Sequence, residues 1–207
     1  LQPPDRENLP LCGFPITSQT TGFAKVNLIH RDVQDSDTSF YVREDVSDQG
    51  NQNFEEVGFT RVLETPEIVF FVETTEWESD RVTQATITGL RDAMLNETPA
   101  GSINPNLGIY ANEVNLFGPP PDVDNNGVIY ILLMDVRDNY DPEQGGEYIA
   151  GYFDPLDQLG RSGNRSDILY IDTSPGLQSG KFMQTMTTAA HELQHLIHWG
   201  ADNEEVL

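Results

Sequence analysis

Ala189-Ala190-His191-Glu192-Leu193-Gln194-His195-Leu196-Ile197-His198, near the C-terminal end, decides the reading of this chain. Side chains four residues apart on an α-helix stand one above the other on the same face, so the imidazoles of His191 and His195 can reach one ion. Glu192, beside the first histidine, is placed to take a proton from water on that ion. This H-E-x-x-H pattern supplies two nitrogen ligands and a general base, the requirement of a zinc hydrolase site. The flanking residues predict the helix. Phe182, Met186, Ala189, Ala190, Leu193, Leu196 and Ile197 form an apolar stripe at helical spacing, with Ser179 as N-cap and Gly200 as C-cap. Three of the four histidines (His191, His195 and His198) fall in this one helix. A surface helix that merely carries histidines is the plainer alternative, and the clustering counts against it.

His198 shares the face of the other two. On a straight helix it lies about one turn too far along to bind the same ion. Metzincins solve this with a glycine that breaks the helix three residues after the second histidine, followed by a third histidine. Here those positions are His198 and Ala201, so the metzincin pattern is absent. His198 is therefore expected to pack near the site rather than to ligate.

Composition sets wider bounds. A chain of 207 residues with 37% hydrophobic content can bury a real core, as one domain or as a core with an appendage. Net charge is -23, from 34 Asp and Glu against 11 Lys and Arg. Such a field repels nucleic acid and anionic membranes, so neither is expected as a partner. It fits a secreted protein, a calcium-rich medium or high salt. No apolar run approaches the roughly 18 residues that a membrane span needs. The N-terminus, Leu1-Gln2-Pro3-Pro4, has no signal-peptide pattern and reads as a mature or trimmed end. A lone cysteine, Cys12, allows no internal disulfide, which suits a bacterial secreted protein.

Hydrophobic patterning predicts strands over 23–30 and 39–42, a polar loop over 45–53, and buried strands over 68–72 and 128–134. Aromatic-rich strands follow over 148–153 and 168–171. A helix capped by Ser79 is expected to run to about Asn96, with Val82, Ala85, Leu90 and Met94 as its inner face. The break at 118–121 precedes the second buried strand. Strand, backing helix, strands and active-site helix make an α+β order, one helix layer on a mixed twisted sheet.

That order, with Asp122-Val123-Asp124-Asn125-Asn126-Gly127, Ile149-Ala150-Gly151-Tyr152-Phe153-Asp154, Asn164-Arg165-Ser166-Asp167-Ile168-Leu169-Tyr170-Ile171-Asp172 and the histidine helix, resembles the zincin metallopeptidases. It is closest to the gluzincin-like, hyicolysin-type secreted bacterial enzymes, over roughly residues 40 to 207. The resemblance implies a zinc-dependent endopeptidase acting on protein or peptide substrates, secreted or at the cell surface, and made with a pro-segment. His191 and His195 carry over as zinc ligands and Glu192 as catalytic base. Residues 1–60 are expected to form a strand-rich segment packed on a zincin-like catalytic N-terminal lobe, residues 61–207. In the family the third ligand is a glutamate on a later helix. No such step follows His195, so that ligand is expected beyond Leu207, with the lobe cut short and the C-terminal lobe missing; Glu204 or Glu205 folding back is the competing idea. In zincins an extended substrate pairs with a strand at the cleft rim. Either 167–171 or 148–153 fits that rim, and each fits an ordinary sheet member equally well.

Two further segments leave alternatives open. Asp122, Asp124 and Asn126 place oxygens at positions 1, 3 and 5 of a calcium loop, with Gly127 at the turn. Leu133 stands where an EF-hand has its bidentate Glu, so an EF-hand is excluded. A looser Ca2+ loop completed by a remote carboxylate and a solvated Asx-rich turn both remain. Pro10-Leu11-Cys12-Gly13-Phe14-Pro15 resembles the cysteine-switch segment of matrix metalloproteinase pro-peptides, but Leu11 replaces the expected Arg. A free cysteine in a surface segment is the preferred reading. The competing function class is a non-catalytic calcium-binding or adhesive extracellular module with a degenerate zincin lobe. The intact Glu192 weighs against it, because structural zinc needs no base.

Overall fold

The structure, a computed structural model, describes residues 10–12, 39–48, 52–178 and 180–202. Three apolar runs build its centre: β4 (Ile68–Glu73), β5 (Ile129–Met134) and β7 (Ile168–Asp172) are buried at every position. A strand can be apolar throughout only where both sheet faces are covered, as in parallel sheets. These three do lie parallel, β4 beside β5 and β5 beside β7. β6 (Tyr148–Tyr152) runs antiparallel to β7, and β1 (Pro10–Cys12) lies parallel on its outer side. On the other flank β3 (Phe54–Glu64) and β2 (Ser39–Arg43) add antiparallel strands, giving the order β1-β6-β7-β5-β4-β3-β2.

Helices cover one face. α2 (Gln84–Leu95), α3 (Ile109–Phe117) and α5 (Phe182–Ala201) are the long ones, with short α1 (Thr74–Glu78) and α4 (Pro155–Gln158) at strand ends. Ile87, Leu90 and Met94 of α2 and Leu193, Leu196 and Ile197 of α5 pack with Phe70, Ile131, Leu133, Leu169 and Ile171 from the sheet. Each such fully buried Leu or Ile contributes about 1.5–3 kcal/mol. The alternate residues, Val69, Phe71, Tyr130, Leu132 and Tyr170, point to the other face and pack with Phe40 and Phe59. There the Phe40 ring meets Phe59 and Phe71 edge-on, with centroids 5.4 and 4.9 Å away.

The α+β class and its mixed sheet are as the patterning implied, and several details differ. Thr83, not Ser79, caps α2, its side chain accepting from the Thr86 N–H; Ser79 closes α1. Ile87 and Ala93 face the core with Leu90 and Met94, while Ala85, about 200° around the helix from Ile87, is exposed. Gly200 does not end α5, which continues to Ala201. It lies inside the helix against Pro121, where a Cβ would come within 2.8 Å of the ring. α3 and β3 had no apolar run to announce them, because α3 buries only Ile109 fully and β3 is half-exposed. The strand expected over 23–30 and the Ser179 cap lie outside the described residues.

Candidate active site

α5 follows β7 and runs back alongside β6. Three contacts fix that course. Lys181 Nζ sits 4.4 Å from the centre of the Tyr148 ring, Thr188 lies over Gly151, and Phe153 faces Trp199 with ring centroids 6.4 Å apart. Gly151 is what lets the helix come so close. A Cβ there would stand 2.7 Å from Thr188 Cγ2 and 2.6 Å from the Tyr170 carbonyl oxygen. Thr188, His191, Glu192 and His195 share one helix face by their spacing, so β6 passes beside the histidine pair within about one turn.

His191 Nε2 and His195 Nε2 are 2.9 Å apart, their rings edge to face with centroids 4.5 Å apart. Two nitrogens this close share either a proton or an ion. A tetrahedral zinc with Zn–N of about 2.0–2.1 Å holds its nitrogens about 3.3–3.4 Å apart, so a slight opening of the pair accommodates the metal. His191 is exposed and His195 half-buried. Burial first, then the neighbouring His191 and His198, lower the pKa of His195, favouring the neutral imidazole that a metal requires. Glu192 points inward and is 1% exposed. His198 lies against Phe117, ring centroids 5.2 Å apart and nearly perpendicular.

Among the described residues, no third His, Cys, Asp or Glu joins the pair; the one group that gathers three such side chains lies elsewhere. Glu204 and Glu205 lie outside the described residues. That other group is Asp122, Asp124 and Asp167, whose carboxylate oxygens stand within 4.8 Å of one another, a spacing that could hold a metal ion. Asn126 serves the turn: its Nδ2 donates to Asp124 Oδ2 and the Tyr130 hydroxyl, and its Oδ1 accepts from the Val128 N–H. Asp167 is fully buried, accepting from the Val123 N–H and from Gln158 Nε2, and burial pushes its pKa up to about 7. Asp167 was read only as part of a strand. Its signal was a carboxylate placed directly before a fully apolar run.

Beside it lies a buried polar network that patterning did not reveal. Arg43 grips Asp154 through Nε and Nη2 at 2.6 and 3.1 Å. Asp157 accepts from the hydroxyls of Ser162 and Tyr170 and from Asn164 Nδ2. Burial, then the charge of Asp154, raises the pKa of Asp157 to about 7. The network pins the 154–167 segment, so it positions β7 and its approach to the site.

No family model matches this chain. Over 87 residues it is 36% identical to the neutral metalloprotease ShpI of Staphylococcus hyicus. That match supports a metallopeptidase relationship. It covers 40% of this chain and 19% of ShpI, so the chain spans about a fifth of that relative's length.

Proposed function

We propose that this chain carries the zinc-binding lobe of an endopeptidase of the zincin type, with His191 and His195 as metal ligands and Glu192 as general base. The observation that carries the reading is the convergence of the two Nε2 atoms at 2.9 Å on a helix that also presents Glu192. Zinc held there would supply Lewis acidity and water of pKa about 7. Glu192 then takes the proton of the attacking water and passes it to the leaving amine. Because all three side chains leave one stretch of one helix, the carboxylate stays in register with the ligands. An extended peptide is the substrate, paired along the outer edge of β6. Of the two candidate rims, β7 lies inside the sheet between β5 and β6, whereas β6 has only the three-residue β1 beyond it.

The third ligand is a glutamate outside the described residues, as in the family the sequence resembles. A secreted protein fits the acidic charge, and no helix among the described residues is long and apolar enough to cross a membrane. The Asp122–Asp124–Asp167 group is the observation that favours the competing calcium-binding module. Casein hydrolysis separates the two. Activity that a chelator abolishes and zinc restores supports the endopeptidase, and zinc binding without any hydrolysis supports the module.

A further inference from the structure

β6 carries the flank of the sheet that runs beside α5, and its outer edge is already taken. Pro10 lies opposite Tyr148, Leu11 opposite Ile149 and Cys12 opposite Gly151, all in parallel. Gly151 is the residue under Thr188, one helical turn before His191. The chain's own N-terminal segment therefore occupies the strand position alongside the histidine pair.

We infer that Pro10–Cys12 is an internal occupant of this edge, which a peptide docking there must displace. A sheet edge offers the same row of N–H and C=O groups to a strand of either polarity, so the two compete for one set of partners. The cover is weak by construction. It spans three residues, begins with a proline that has no N–H to give, and slips register between Leu11 and Cys12. The opposite flank contrasts with it, for β2 pairs with β3 over five residues without a slip. A short cover of this kind hides the edge from other chains yet leaves readily. It holds the site in a latent form until the segment is displaced or removed. This inference rests on the endopeptidase reading for its consequence, but not for its test.

The probe is a fluorescein-labelled nonapeptide of residues 7–15 with serine in place of the cysteine, so that only strand pairing is measured. It is titrated against the wild type and against the Leu11→Pro/Cys12→Pro variant, which lacks the pairing amides. An internal strand competes at an effective concentration on the order of millimolar, so the variant should bind the probe about tenfold tighter or better. With zinc-loaded protein, the variant's KM for casein should fall by a similar factor with kcat little changed, and excess probe should inhibit competitively. Equal probe affinity for both folded proteins overturns the inference, whatever the casein result. Tighter probe binding without any casein hydrolysis upholds the docking edge and removes the endopeptidase reading. Should the variant not fold, hydrogen exchange on the wild type decides: the amides of Leu11 and Cys12 lose protection when excess probe is added, and unchanged protection contradicts displacement.

Discussion

In α5 the reactive groups leave neighbouring turns of a single helix, whereas the acidic groups beneath the sheet are gathered from distant segments. Asp167 meets Val123 across 44 residues and Arg43 meets Asp154 across 111. The helix places His191, Glu192 and His195 by its own period, so their arrangement needs only that the helix form and bury its stripe. The acidic groups exist only after loops have closed, and each buried carboxylate carries a desolvation cost that its hydrogen bonds must offset. One region holds chemistry cheaply and locally; the other is costly, and its carboxyls respond to pH.

The largest effects should come from the helix. His191→Ala or His195→Ala is expected to lose zinc and all activity together, because a catalytic zinc needs three protein ligands and each variant removes one. His198→Ala should keep its zinc, with at most a modest loss. Metal content of the three purified variants checks this, and a His198→Ala protein as empty as His195→Ala would break the assignment.

Next in size is the ion pair of the second region. Arg43→Ala leaves Asp154, 1% exposed, without its bidentate partner, and should cost about 3–5 kcal/mol of stability. Denaturant unfolding measures it. A loss below about 1 kcal/mol would place this pair with ordinary surface salt bridges and erase the contrast.

A smaller effect follows from the raised carboxyls. Asp157, Asp167 and Asp172 are pushed by burial to about 7, against an unfolded value of about 3.9. Between those limits the folded state holds more protons than the unfolded one, so these groups lower stability as pH rises from about 4 to 7. Asp45 and Asp141, partly exposed at the surface, shift the other way, chiefly through hydrogen bonds within their own turns, which solvent screens. The melting temperature should therefore be a few degrees higher at pH 5.5 than at pH 8. A flat or opposite profile would contradict the burial argument. Repeating the melts with Ca2+ sharpens it, since a cation held by Asp122, Asp124 and Asp167 would keep Asp167 ionised and flatten the slope.

The same contrast explains what the sequence made legible. The runs at 68–72 and 128–134 are apolar without interruption, which demanded buried strands, and the stripe of α5 demanded its helix; 168–171 read as a strand whose place, rim or interior, stayed open. His191 and His195 were readable because their geometry is a property of four-residue spacing. Asp167 was not, since its partners Val123 and Gln158 belong to a distant loop and to the end of α4. Nor was the position of β1, because three residues carry no periodicity and their pairing with β6 depends on where the sheet ends. Ala85 shows the finer limit: Val82 is buried ahead of α2 rather than in it, so a face phased on Val82 put Ala85 inward when Ile87 is the buried residue.

The central claim is that Glu192 is the general base of a zinc peptidase site. The most direct measurement is casein hydrolysis by wild type and Glu192→Gln, with zinc content determined on the same samples. The account predicts equal zinc in both proteins and a fall in hydrolysis of roughly 10²-fold or more, the usual worth of a positioned base. Activity in Glu192→Gln within a few-fold of wild type, at equal zinc, would contradict it.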